Sequence, residues 1–145
     1  MNEPIRRSPS RSAATSLLDA AALPTLDLTD AHMEHFFYSG PAHAPTGLVG
    51  LELFESQALL RSLVVSGAAR SRGLGSALLA QAEEHARTAG VREIYLLTTT
   101  AEEFFKRRGF STAAREDAPP AIRQSREFAG LCPASSAFMI KRLDR

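Results

Sequence analysis

The sequence predicts an α/β fold built on a mixed sheet, and three observations carry that expectation. In the central third an apolar run ends at Val65, a helical pattern follows over about residues 75–89, and after Gly90 a second apolar run covers 94–99, which is a strand–helix–strand unit. Upstream, strand-like runs at 34–38 and 47–54 are separated by Gly40, Pro41 and Pro45. A third run at 58–65 follows Ser56 and Gln57, so these segments read as antiparallel strands joined by hairpins. Finally, 145 residues at 44% hydrophobic and 23% charged suit one soluble core and exclude collagen-like, low-complexity and disordered classes.

Taken in order, residues 1–12 carry little apolar periodicity and are expected as a frayed or disordered terminus, with only Ile5 to Arg7 available for a first strand. Residues 13–23 place Leu17, Leu18, Ala21 and Ala22 at helical spacing and stop before Pro24. In the central helix Leu74, Leu78, Ala82, His85, Ala86 and Ala89 share one face, with Ser76, Glu83, Glu84 and Arg87 opposite, and Gly90 is placed for a left-handed cap. A right-handed crossover makes the 94–99 strand parallel to its predecessor, and its unbroken apolar start makes it central. Thr100 and Glu103 have the spacing of a capping box, and Lys106 to Arg108 suit the far end of that helix before Gly109. A strand from Phe110, a helix near Asp117 with Pro119 and Pro120 in its first turn, and a last strand over 136–143 complete the chain. No repeat or linker divides it, so residues 1–145 are expected as one domain.

Seventeen Lys and Arg against sixteen Asp and Glu leave a net charge of +1. No global field argues for nucleic acid or an anionic membrane, so an anionic ligand must be held locally. The one cysteine, Cys132, closes no intrachain disulfide, which fits a reducing, cytoplasmic setting. The apolar run at Leu17 and Leu18 is cut at once by Asp19, so no membrane span is expected.

The segment Arg70-Ser71-Arg72-Gly73-Leu74-Gly75 lies between strand and helix. Its glycines let backbone approach a ligand, and the helix start offers N–H donors to an anion. It is neither a P-loop, lacking Gly-Lys-Ser/Thr, nor a full dinucleotide fingerprint, because Leu78 stands at the third glycine position. An ordinary glycine-bearing turn with two solvated arginines is the plain alternative. The pattern Arg70, Gly73, Gly75 after a fourth strand, together with Phe104-Phe105 ahead of Gly109-Phe110, resembles the GNAT acetyltransferase superfamily over roughly residues 13–143. More narrowly, Thr98-Thr99-Thr100-Ala101, Phe104-Phe105, Ala118-Pro119, Glu127-Phe128 and Leu131-Cys132-Pro133 look like the acetyltransferases associated with arsenic resistance.

The resemblance implies a GNAT fold: a mixed, mostly antiparallel sheet with a parallel acyl-CoA-binding strand–helix–strand unit and flanking helices. It implies acetyl-CoA as cosubstrate and a small-molecule amine, amino-acid-like and anionic, as acceptor. A homodimer is compatible with it. The backbone of Leu63, Val64 and Val65 would meet the pantetheine arm, and the amides of Arg70, Ser71, Arg72, Gly73, Leu74, Gly75 and Ser76 would hold the pyrophosphate. A backbone N–H at Val64 or Val65 would stabilise the oxyanion. Phe104 and Phe105 would line the cofactor cleft, and Phe105 stands where the family commonly has a proton-donating tyrosine. A non-catalytic acyl-CoA-binding module therefore remains the alternative.

Other side chains have two readings each. By the period of two Arg61 shares a face with Leu59, Leu63 and Val65, and it either pairs with Glu52 or Glu55 or binds a substrate anion. Glu52 is the best carboxylate for accepting the amine proton through water. Residues 117–133 are expected as a wall or lid, with Ile122 and Phe128 in apolar contact and Arg123 and Arg126 facing an anion or solvent. His32, His35 and His43 are spaced too unevenly to predict a metal site, and none is expected. Cys132 and Tyr95 read as packing residues.

Overall fold

A computed structural model describes residues 4–69, 73–133 and 135–143. In chain order its main elements are β1 (Ile5–Arg7), α1 (Arg11–Ala20), β2 (Phe36–Ser39), β3 (Gly47–Phe54), β4 (Gln57–Val65), α2 (Leu74–Thr88), β5 (Glu93–Thr98), α3 (Glu102–Lys106), β6 (Ser111–Thr112), α4 (Pro120–Arg123) and β7 (Ala137–Arg142). Short 3-10 turns occupy Ala31–His35, Gly67–Ala69 and Arg115–Asp117, and a π-type turn occupies Glu127–Leu131. Seven strands form one sheet in the order β1-β2-β3-β4-β5-β7-β6. β1–β2, β2–β3, β5–β7 and β6–β7 pair antiparallel and β4–β5 parallel, the mixed sheet that the sequence predicts. The parallel ladder joins Gln57, Ala58 and Leu59 to Glu93, Ile94 and Tyr95 and stops there. No helix among the described residues is long and apolar enough to cross a membrane. The chain divides into two compact units, Met1–Glu52 with Leu60–His85, and Leu53–Leu59 with Ala86–Arg145.

In the first unit part of the terminus expected as frayed is structured, residues 1–3 lying outside the described residues. Ile5, Arg6 and Arg7 pair with Ser39, Tyr38 and Phe37 of β2, and the Ser10 hydroxyl accepts the Ala13 amide at 3.2 Å as the N-cap of α1. The first strand thus forms at the one stretch the sequence left for it, and a three-residue edge strand held by backbone pairing needs no apolar periodicity. β2 alternates as a strand must: Phe36 and Tyr38 join Ala14 and Leu18 of α1, Leu48 of β3 and Val64 of β4 in one cluster. Phe37 points to the opposite face and sets its ring edge-on to His85 of α2, 5.1 Å between centroids. All four β2 residues are therefore buried. Gly50 lies opposite Phe36, and a Cβ there would stand 2.3 Å from the phenyl ring, so the aromatic fills the space a side chain would take.

Helix α2 buries Leu74, Leu78, Ala82 and Ala86 as its periodicity predicts. Two positions differ. Glu83, expected on the solvated side, is only 8% exposed, because Leu79 one turn earlier is buried as well and widens the covered arc. Ala89, expected on the apolar face, follows the helix end and is exposed. Gly90 has φ +88° and Val91 N–H reaches back to Ala86 O at 2.9 Å, the expected left-handed cap.

In the second unit β5 and β7 pair in register from Glu93–Arg142 to Thr98–Ala137. Tyr95 stacks on Phe138 at 5.5 Å and Phe128 meets Phe138 edge-on at 5.4 Å, with Leu59, Ala118 and Ile122 in the same cluster. The proline-started helix is a single turn, α4, with Pro120 in its first positions and Ile122 fully buried. The capping box does not form. Ala101 is the N-cap of α3, and Thr98 Oγ1 accepts the Ala101 amide at 3.0 Å, so the hydroxyl that caps the turn comes from the end of β5. The charge pattern survives in a Glu102–Lys106 pair at 3.2 Å.

Candidate active site

The candidate site lies at the end of β4 and the start of α2, within the first unit. β4 contains Ser62 at φ +63°, a left-handed residue inside a strand. Such a residue breaks the pleat in the manner of a bulge, so the alternation that placed Arg61 on one face with Leu63 and Val65 does not carry across it. Val64 packs into the apolar cluster, while Leu63 and Val65 are half-buried. Beyond the Gly67–Ala69 turn, Gly73 has φ +74° and its carbonyl accepts the Ala77 amide at 3.1 Å, which makes it the residue that opens α2. A Cβ on Gly73 would meet no protein atom within 4 Å. Leu74, Gly75 and Ser76 form the first turn, where N–H groups have no acceptor in their own helix and the helix dipole favours an anion. No acidic residue lies in that turn to compete. The Leu74 side chain is buried, so only its backbone can serve a ligand. Arg70, Ser71 and Arg72 lie outside the described residues.

Arg61 is not placed to bind a substrate anion. It is 3% exposed, and its five N–H donors all have acceptors: Nε to Ser62 Oγ at 3.2 Å, Nη1 to Asp27 Oδ2 at 2.6 Å and Glu52 Oε2 at 2.7 Å, Nη2 to Asp27 Oδ1 at 2.9 Å and Pro24 O at 3.4 Å. The ion-pair reading with Glu52 is the one the structure adopts. Asp27 adds a second carboxylate that the sequence did not single out. It comes from the loop after α1, and a contact at such sequence separation leaves no local signal. Burial alone would raise the Asp27 carboxyl, but the hydrogen bonds and charge of Arg61, helped by its own amide and His32, hold it below its usual 3.8.

Ligand atoms of Asp27, His32 and Glu52 lie within 4.8 Å of one another, spacing that could suit a metal ion. The guanidinium of Arg61 already supplies the cation there. Moreover, Thr29 N–H donates to His32 Nδ1 at 3.0 Å, which fixes the proton of the neutral ring on Nε2 and opposes ligation from that nitrogen. Glu52 stays a half-buried carboxylate at the edge of this group, with one oxygen committed to Arg61.

In the second unit Phe105 is 5% exposed, set edge-on between Phe104 and Phe110, so it packs in that unit's core and offers little ring to a ligand. Phe104 is half-buried beneath the Arg108 guanidinium, 3.7 Å from the ring centroid. Arg123 and Arg126 are exposed, and Arg123 donates to Glu116 O. Tyr95 donates to Glu93 at 3.1 Å, and burial together with that carboxylate pushes its phenol up to about 12, which fits a packing role and not an acid. One pair escaped the sequence reading: His35 Nδ1 and His85 Nε2 lie 3.1 Å apart. His85 on the buried face of a helix was the available signal.

A mixed sheet, a left-handed break in the fourth strand and a glycine-opened turn into the following helix agree with the fold that the resemblance implies. Residues 11–110 match the acetyltransferase (GNAT) family, and the chain belongs to it. This is a family of enzymes that use acetyl-CoA as cosubstrate. The chain is 34% identical over 83 residues to the amino-acid acetyltransferases of two Neisseria meningitidis strains, a match that covers 57% of this chain and 18% of each relative. Among solved structures, N-acetylglutamate synthase from Neisseria gonorrhoeae complexed with coenzyme A and N-acetyl-glutamate superposes with a TM-score of 0.82 at 25% identity, over 100% of this chain and 36% of that one. Rv2747 from Mycobacterium tuberculosis, in complex with CoA and NLQ, has a TM-score of 0.78 at 19% identity over 97% and 99% of the two chains, a likeness of fold. The chain thus spans about a fifth of the curated relatives it matches.

Proposed function

We propose that the protein transfers an acetyl group from acetyl-CoA to the amine of a small, anionic, amino-acid-like molecule. The observation that carries this is the family match together with the backbone of unit one, where Leu63, Val64 and Val65 follow a left-handed break in β4 and lead to a glycine-opened helix start. In this reading the Leu63–Val65 backbone meets the pantetheine arm. The amides from Arg70 to Ser76, with the side chains of Arg70 and Arg72, hold the pyrophosphate. The amine nitrogen attacks the thioester carbonyl carbon, and the oxyanion is received by a backbone N–H at Val64 or Val65. Collapse breaks the C–S bond and CoA leaves as the thiolate, which takes a proton from solvent water, while the proton lost by the amine passes through water to Glu52. Thiols have pKa near about 8.5, so the thiolate can leave without a dedicated acid, and Phe105 at the usual tyrosine position is no obstacle.

Two lines support the amino-acid class of acceptor. The relatives of similar sequence are amino-acid acetyltransferases, and a related structure holds N-acetyl-glutamate. The resemblance to arsenic-resistance acetyltransferases points to arsenical amino acids in the same class, with the reaction in the cytoplasm. With Arg61 committed to Asp27 and Glu52, recognition of the acceptor's anionic group falls to other cations, of which Arg123 and Arg126 are our choice. A thiol-release screen with acetyl-CoA over glutamate, other amino acids, phosphonate and arsenical amino acids and aminoglycosides tests this. Turnover is expected with an anionic amino acid. CoA binding without turnover on any amine would leave the non-catalytic module standing instead.

A further inference from the structure

Ser62 is the anomaly of β4. A non-glycine residue in the left-handed region is strained, and such strain persists only where the surroundings over-determine it. Here they do. Arg61, the preceding residue, is tied to Asp27 and Pro24 of the loop after α1, to Glu52 of β3, and through Nε to the hydroxyl of Ser62 itself. One guanidinium thereby fixes three segments and the side chain of the strained residue. The peptide groups that follow Ser62 are those of Leu63, Val64 and Val65, and their direction depends on the φ that Ser62 holds.

We infer that Asp27 and Arg61 are positioning residues for acetyl transfer: by holding Ser62 left-handed they set the direction of the one backbone N–H, at Val64 or Val65, that receives the oxyanion. The inference rests on the acetyl-transfer reading above. Neither side chain is placed against substrate in this reading; because Arg61 also binds Glu52, the proposed proton acceptor, recovery on adding Ser62→Gly is what assigns the effect to the backbone of β4. A pair that serves packing alone would also be dispensable to the angle at Ser62. A positioning pair is not, and that difference can be measured.

Asp27→Asn suits the test because it leaves Glu52 to neutralise Arg61, so no bare charge stays buried. Steady-state kinetics, CoA titration calorimetry and thermal unfolding are to be run on wild type, Asp27→Asn, and Asp27→Asn with Ser62→Gly. Asp27→Asn should lower kcat by about tenfold or more, as misaimed oxyanion donors do, while the CoA Kd changes by less than about twofold. Adding Ser62→Gly should recover at least about threefold in kcat, because glycine adopts positive φ without a Cβ penalty and no longer needs the clamp. Arg61→Lys, which keeps the charge but loses the fork, carries the same comparison should Asp27→Asn fail to fold. An unchanged kcat in folded Asp27→Asn, a CoA Kd that rises in step with the loss of kcat, or no recovery on adding Ser62→Gly overturns the inference while the acetyl-transfer reading stands. A wild-type protein that turns over no amine overturns both.

Discussion

Gly73 has φ +74° and open space where its Cβ would be, so two consequences of a side chain there can be separated. Gly73→Val is strained by the backbone angle and projects into the region where the pyrophosphate is placed. It should weaken CoA binding by about tenfold or more, equivalent to about 1.4 kcal/mol, as read by calorimetry on the folded variant. Gly73→Asn tolerates the left-handed angle and should show the steric part alone. Unchanged affinity in a folded Gly73→Val protein would move the pyrophosphate elsewhere. The glycine's turn was legible because its type and its position before a helix announce a left-handed residue, which its φ bears out. Asp27 was not, since nothing near it in sequence marks it as the partner of a strand residue 34 positions away. Ser62 was also invisible: a serine carries no signal that its φ is positive, and the period-of-two reading of Arg61 failed at that one angle.

At the scale of elements, the side of β2 opposite α1 is closed by His85 of α2, with His35 against it and Arg7 of β1 nearby. The two ring nitrogens 3.1 Å apart can share one proton, and a second would set N–H against N–H. Burial first, then Arg7 and His35, hold the His85 imidazolium below its usual 6.5, while Arg7 is oriented by a 2.7 Å bond from its Nε to Glu34 O. A histidine with a depressed folded pKa binds fewer protons folded than unfolded. Its contribution to stability is therefore present above 6.5 and is lost as pH falls through the lower folded value. Denaturant unfolding should show lower stability at about pH 5.5 than at about pH 7.5, and His85→Gln should shrink that difference by about half. A difference that survives the substitution unchanged would assign the acid sensitivity to other groups. Strands and helices with strong periodicity were readable in advance, β3 and α2 above all. The element misread was one held by a distant side chain, the start of α3, which is capped by a hydroxyl from β5, whereas β1 forms at the Ile5–Arg7 that the sequence left for a first strand.

For the molecule as a whole, the fold was legible because the strand–helix–strand unit and the hairpins each leave a local pattern, and their combination admits few topologies. The acceptor was not, because exposed arginines such as Arg123 and Arg126 look the same whether solvated or engaged. Charge gives a test at this scale. Acetyl-CoA carries several negative charges, yet a net charge of +1 over 145 residues provides no long-range attraction. In the proposed site binding comes from fixed N–H dipoles at the start of α2 and from nearby arginines, which act within the Debye length of about 10 Å at 0.1 M salt and so are weakly screened. The Michaelis constant for acetyl-CoA should accordingly rise less than about threefold between about 50 and 300 mM KCl. A rise of about tenfold or more would mean that exposed side-chain charge, and not the backbone cradle, dominates capture. In that event the joint change Arg70→Gln and Arg72→Gln should flatten the salt dependence, and the helix start would be reduced to orienting a ligand already held by its arginines.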